Sequence, residues 1–256
     1  MSTPSIYCYA GALSELTNLY SNCEFHILRI PEITDESLQR IHGYLKDRLA
    51  TETIYTGGMP DILYTQDLQE SFWNKVSNPN SVLLGIGGGS VMDVAKVLRF
   101  QPEGSYWLRK NLDNPININN GNKIPLLLAP TTAGTGSEVT PTATIWDFKN
   151  QNKHSLHGSA VMADVAIVDP WLSLGAPWVI TRDSAIDALS HALEAIWNTN
   201  ATPETSKLAI SAADEICHYL PLLKEDLNNI RLRESLSRAA LSAGLAMAKK
   251  IGRAHV

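Results

Sequence analysis

The chain has 256 residues, enough for one large domain or two ordinary ones, and its formal net charge of -5 offers no general attraction to nucleic acid or anionic membrane. Hydrophobic residues at 44% and charged residues at 18% describe a chain that buries a core and is not disordered. Cys8, Cys23 and Cys217 lack metal-type spacing, and their odd number argues against a disulfide framework. The start, "MSTPSIYCYAG", has no basic stretch followed by an apolar one, and no apolar run reaches the length of a membrane span. We expect a soluble, cytoplasmic protein with no nucleic-acid and no membrane partner.

In chain order, "EFHILRI" (24–30) reads as a strand and "TDESLQRIHGYLKDRL" (34–49) as a helix opened by Thr34 with Ser37 in its first turn. "ETIYTG" (52–57) reads as a second strand and "TQDLQESFWNKV" (65–76) as a second helix. "SVLLGIGGG" (81–89) is a buried third strand running into a helix, "SVMDVAKVLRF" (90–100), and "IPLLLAPTT" (124–132) is a fourth strand. "TATIWD" (142–147) and "VAIVDP" (165–170) read as further strands. That alternation predicts an α/β domain over 1–170 with a doubly wound, mostly parallel sheet, whose ligand crevice lies at the strand C-termini. Beyond "DPWLSLGAP" (169–177) every segment has helical period and is rich in Ala and Leu, which predicts an all-α domain over 171–256.

Two stretches carry chemistry in the first domain. "GIGGGSVMDVAK" (85–96) is a strand, a glycine run and a helix start; glycines admit a phosphate close to the backbone, and the amides of a helix's first turn point at the anion. It reads either as an anion cradle or as a tight structural turn, since it lacks the GxGxxG fingerprint and does not follow the first strand of the pattern. Asp93 and Lys96, one turn apart, pair with each other or contact the ligand. "APTTAGTGSEVT" (129–140) is a second loop, dense in hydroxyls and glycines, suited to a ribose or pyrophosphate. Two such loops at adjacent strand ends favour a nucleotide. In the second domain, "DALSHALEAIW" sets Asp187 and His191 one turn apart on one helix face. That pair is either an ordinary solvated contact or part of a metal site.

The combination Gly87 to Lys96 (GGGS-x-x-D-x-A-K), Pro130 to Glu138 (PTTAGTGSE) and Asp187 to Glu194 (D-A-L-x-H-A-x-E) resembles the iron-containing (group III) alcohol dehydrogenases over nearly the whole chain. The resemblance implies a Rossmann-like first domain and a homo-oligomer when full length. It implies pyrophosphate binding by Gly87, Gly88, Gly89 and Ser90 beside Asp93, and a nucleotide and nicotinamide pocket lined by Thr131, Thr132, Thr135 and Lys153. Asp187 and His191 match the first two metal ligands. Carboxylate plus imidazole suits Fe2+ or Zn2+. The implied activity is hydride transfer between NAD(P)H and a small aldehyde, whose developing oxyanion a divalent metal stabilises. Within the family, "TPTATIWD…KHSLHG" and "HALEAIWN" look most like the phosphonoacetaldehyde reductases, which implies phosphonoacetaldehyde as substrate and 2-hydroxyethylphosphonate as product. Lactaldehyde-, butanal- or glycerol-type dehydrogenases are the alternative, as is a nucleotide-binding fragment without catalysis; the dehydroquinate synthases match less well.

A phosphonate needs cationic or amide donors, and Lys153, His154, His157 and Arg182 are the candidates. His26, His42 and His218 read as structural. The strand "ILRIPE" has Arg29 and Ile30 where NAD-preferring members often carry an aspartate, so NADPH is expected to be tolerated. The family's further metal-ligand histidines, and one thought to assist proton transfer, follow "AGLA" (243–246), but here the chain stops at "MAKKIGRAHV" and His255 does not match their spacing. The codons ATC GGA AGA GCA CAC GTC spell Ile251 to Val256 and open a common short-read sequencing adapter. We therefore expect 251–256 to be a non-native tail on a C-terminally truncated chain, inactive by itself toward aldehydes.

Overall fold

The computed structural model describes residues 3–104, 106–112 and 122–251. The tail expectation falls outside these, apart from Ile251 as the last residue of a helix. The first half of the chain forms β1 (Ser5–Cys8), β2 (Glu24–Arg29), α1 (Asp35–Leu45), β3 (Leu49–Ile54), α2 (Ile62–Trp73), β4 (Ser81–Gly87), α3 (Gly89–Leu98) and α4 (Trp107–Asn111). The second half forms β5 (Leu126–Pro130), β6 (Thr142–Asp147), β7 (Asn152–His157), β8 (Val165–Val168), α5 (Trp178–Ile196), α6 (Pro203–Glu225) and α7 (Ile230–Ile251).

Six strands make one all-parallel sheet in the order β1-β8-β5-β4-β2-β3. The expected α/β sheet followed by helices is therefore present. Its central strands are buried on both faces, as a parallel sheet requires. Phe25, Ile27, Leu84, Ile86 and Leu127 point to one side, where they meet Leu13, Ile41 and Leu45. Leu28, Leu83, Leu126 and Leu128 point to the other, onto Val91, Val94, Ala95 and Leu98 of α3. Full burial of each such leucine contributes about 1.5–3 kcal/mol.

Two strands escape the sequence pattern. β1 has four residues and is half exposed at the sheet edge. β7 carries mostly polar residues, because it pairs antiparallel with β6 in a separate two-stranded ribbon. The first helix ends at Leu45, short of the expected 49. Arg48 there donates to the carbonyls of Leu19 and Tyr44, and the chain enters β3 three residues before the expected strand. Its start is as expected: the Thr34 hydroxyl accepts from the Ser37 amide.

The three long C-terminal helices pack through alanines: Ala185, Ala188, Ala192 and Ala195 on α5, Ala209 and Ala212 on α6, and Ala239, Ala243 and Ala246 on α7. Small side chains at helical spacing let the helix axes approach closely. Among the described residues, no helix is long and apolar enough to cross a membrane.

Candidate functional site

From β2 the chain runs outward to β3, then crosses back over β2 to β4 and continues the other way through β5 to β8. The C-terminal ends of β2 and β4 thus flank the point where strand order reverses, the place where open α/β sheets bind ligands. A cleft of about 470 Å³ lies there, lined by Ile30, Pro31 and Glu32 after β2, Tyr55, Thr56 and Gly58 after β3, and Gly88, Gly89, Ser90 and Val91 after β4.

The three consecutive glycines differ in what holds them. A Cβ on Gly87 would sit 2.7 Å from Val91 Cβ, and one on Gly89 would sit 2.6 Å from Thr135 Cγ2. Both are required by the protein's own packing. A Cβ on Gly88, the residue before the first turn of α3, would meet nothing closer than Thr132 Oγ1 at 3.6 Å. Its bareness answers no internal contact and leaves the helix's first-turn amides open to the cleft. Ser90, two residues after Gly88, lines the same cleft.

The second loop leaves the neighbouring strand. Gly87 stands beside Pro130, and the Thr131 amide donates to the Gly87 carbonyl at 3.0 Å. Among the described residues the Thr131 hydroxyl is buried without a hydrogen-bond partner, as is the Tyr55 hydroxyl beside the cleft, whose pKa burial pushes up to about 12. Thr132 and Thr135 are half-buried on the same loop. Gly136 has φ +63°, and a Cβ there would lie 2.6 Å from Gly244 Cα in α7; Gly134 packs equally closely on Ser184 of α5. The loop is therefore clamped between the glycine turn and the helices.

Asp93 does not face the cleft. Its Oδ1 accepts from Ser137 Oγ at 2.7 Å and its Oδ2 from the Thr144 amide at 2.9 Å, with Lys96 Nζ at 3.8 Å. Of the two readings of Asp93 and Lys96, the structure shows the internal pairing. Burial lowers the Lys96 ammonium to about 8 and raises the Asp93 and Glu138 carboxyls.

Lys153 is exposed on β7, its Nζ 5.7 Å from the Trp146 ring centre. The ribbon that carries it is tied to α3 through Asp93 and to the segment before α2 through the Trp146 amide, which donates to the Pro60 carbonyl at 2.7 Å. Among the other anion candidates, His157 Nδ1 lies 3.0 Å from Thr142 Oγ1 and Arg182 pairs with Asp183 at 2.7 Å; His154 is also partnered. His26 is buried between Thr51 and Ser81, His42 meets Glu52, and His218 packs edge-on against Tyr219.

Asp187 and His191 stand on α5 with Oδ2 and Nδ1 3.8 Å apart, on the face that also carries Ser184 and so turns toward the second loop. Both remain partly exposed, at 46% and 25%. Among the described residues no group of three or more His, Cys, Asp or Glu side chains converges to hold a metal. The pair has donor chemistry that suits a divalent metal and would supply two ligands to one.

Sequence reasoning missed Glu32 and Tyr55. Arg29 and Ile30 do stand at the end of β2, where Arg29 is committed to Glu52 and to the Ile30 carbonyl, and Glu32, two residues beyond Ile30, lines the cleft. An acidic residue beyond a proline, outside the strand, carried no positional signal until the strand order was known.

Comparison with known proteins agrees with this geometry. Residues 3–170 match the family model for iron-containing alcohol dehydrogenase, and residues 181–255 match the C-terminal model of that family. A choline dehydrogenase of Bacillus subtilis is 36% identical over 177 residues, 68% of this chain and 44% of that protein. A phosphonoacetaldehyde reductase of Streptomyces viridochromogenes is 33% identical over 172 residues, 65% of this chain and 44% of that protein. A sulfoacetaldehyde reductase from Bifidobacterium kashiwanohense, solved in complex with NAD+, superposes with TM-score 0.86 at 25% identity, covering 96% of this chain and 65% of that one. The chain thus spans less than half the length of the curated relatives it matches. With its parallel sheet, glycine turn and clamped hydroxyl loop in place, the chain belongs to the iron-containing alcohol dehydrogenase family.

Proposed function

We propose that the chain carries the dinucleotide-binding face and two of the metal ligands of an NAD-dependent aldehyde reductase. Residues 1–170 form the cofactor unit in this reading, and 171–256 are the truncated metal and substrate unit. The observation that carries it is the cleft at the reversal of strand order, with Gly88 bare and the first turn of α3 opening onto it. The amides of Gly89 and Ser90 take the pyrophosphate, where backbone donors and the helix dipole favour an anion. Thr131, Thr132 and Thr135 offer hydroxyls on the adjacent loop, and the unpartnered Thr131 hydroxyl is a donor awaiting an acceptor. Glu32 accepts from the adenosine ribose, and its charge repels a 2′-phosphate, so NADH is the preferred cofactor.

Asp187 and His191 hold the metal, Fe2+ or Zn2+, on the helix face turned toward the second loop. An ion held by that carboxylate and imidazole would supply Lewis-acid polarisation of the aldehyde oxygen, and a bound reduced dinucleotide would supply the hydride. Small aldehydes are the substrate class, and phosphonoacetaldehyde is the member proposed, since one relative acts on that compound and the solved neighbour is named for another short anionic aldehyde. Lys153, exposed on the ribbon, is the group offered to the phosphonate. Arg182 is committed to Asp183.

Fluorescence titration with NADH tests the cofactor reading, and saturable binding that Gly89→Val abolishes supports it. No binding by the unaltered chain defeats it. For the substrate, kcat/KM for phosphonoacetaldehyde is compared with propanal in a preparation that turns over. Equal values would refute the anionic preference and leave the reductase reading intact.

A further inference from the structure

Lys96 is fully buried and donates to Thr142 O at 2.6 Å, Ser137 Oγ at 2.8 Å and Thr140 O at 3.0 Å. Thr140 Oγ1, at 3.4 Å, is a fourth and longer contact, so all three protons of the ammonium group are engaged. Because a lysine only donates, Ser137 must accept from it, and the serine's own proton is then free for Asp93 Oδ1 at 2.7 Å. The direction of the chain Lys96 to Ser137 to Asp93 is thereby set. The Ser137 amide in turn donates to Thr135 Oγ1 at 3.2 Å, and the Thr135 methyl rests where a Cβ on Gly89 would be.

A continuous line of contacts therefore runs from α3 through Ser137 and Thr135 back to the glycine turn at the head of the same helix. We propose that Ser137 is a positioning residue for the dinucleotide: its hydroxyl locks the second loop against the glycine turn, so that the loop's threonine hydroxyls and the first-turn amides of α3 face one ligand together. With its Oγ1 taken as an acceptor by the Ser137 amide, Thr135 has its hydroxyl proton left to donate. The assignment rests on the dinucleotide reading above and adds the residue that holds its two halves in register.

Ser137→Ala removes both the acceptor for Lys96 and the donor to Asp93 and leaves the backbone contact to Thr135 in place. NADH binding is expected to weaken about tenfold, the scale of a lost hydrogen bond to charged partners. Asp93→Asn should weaken it in the same direction, and the double variant should bind no worse than the weaker single one, because both act through one contact. Amide hydrogen exchange supplies a readout without ligand: residues 89–91 and 133–136 should exchange faster in Ser137→Ala, while β2 and β5 keep their protection. Binding within twofold of the unaltered chain overturns the assignment, even if the melting temperature falls. So does exchange that rises uniformly or not at all, and so do fully additive effects. Absence of NADH binding by the unaltered chain would instead sink the dinucleotide reading itself.

Discussion

The cleft and the Asp187–His191 pair are built on opposite plans. The cleft draws residues from three strand ends, and its walls are held by contacts the protein makes with itself: Gly87 on Val91, Gly89 on Thr135, Thr131 on Gly87. The pair comes from one helix, its members partly exposed, with no third donor among the described residues. A site spread over a sheet is organised by the fold before any ligand arrives. A site on one helix face is organised only as far as helical period allows. The first is therefore expected to bind a ligand with the chain as it stands. The second depends on donors beyond those two.

The largest effect expected concerns that dependence. An open, wet site polarises a carbonyl poorly, so residues 1–256 with added Fe2+ or Zn2+ should reduce aldehydes slowly, about 10²–10³-fold or more below a fully coordinated site. Any metal-dependent part should vanish in Asp187→Ala and in His191→Ala. Brisk metal-dependent NADH oxidation by the chain would break the comparison, because two donors would then suffice.

Next in size is the glycine turn. Gly89→Val adds a branched side chain where a single Cβ already falls 2.6 Å from Thr135, whereas Gly88→Ala adds a methyl into open cleft. Gly89→Val should abolish measurable NADH binding and lower stability by about 1–3 kcal/mol, the scale of overpacking. Gly88→Ala should keep the melting temperature and weaken NADH binding. Equal loss of stability in both would mean that the cleft is a structural turn.

Smaller again is cofactor choice. Glu32→Gln removes a charge at the rim without changing shape, and should improve NADPH relative to NADH about tenfold, worth about 1.4 kcal/mol. An unchanged ratio of kcat/KM, or of Kd in binding experiments, would move the adenosine ribose away from Glu32.

The smallest concerns the sheet beneath the cleft. Burial between Thr51 and Ser81 lowers the pKa of His26 below its ordinary value of 6.5. As pH falls, the unfolded chain takes up this proton before the folded one does. Stability should therefore decline below about pH 6.5, by at most about 1.4 kcal/mol per pH unit from this group. Melting temperatures of the unaltered chain and His26→Gln between pH 7.5 and 5.5 would show it: the variant should lose less over that range. Parallel curves would assign the acid sensitivity elsewhere.

What the linear chain determined is local and periodic. Buried apolar runs such as "SVLLGIG" and "IPLLLAP" identify strands of a parallel sheet, and Thr34 marks a helix start through its own hydroxyl. The motifs located both loops and the Asp187–His191 pair because each lies in one short stretch. Tertiary structure decided what distant segments do to one another. It added β1 and β7, whose few or polar residues find partners far along the chain or in a separate ribbon. It turned Asp93 from a residue beside a glycine loop into the acceptor for Ser137 and Thr144, more than 40 positions away. It brought Glu32 and Tyr55 to the cleft, because strand order reverses between β2 and β4. Periodicity and capping act over about one helical turn or one strand, so they are written in adjacent residues. Strand order and the commitment of a buried charge arise from packing across the whole sheet, and only the folded chain displays them.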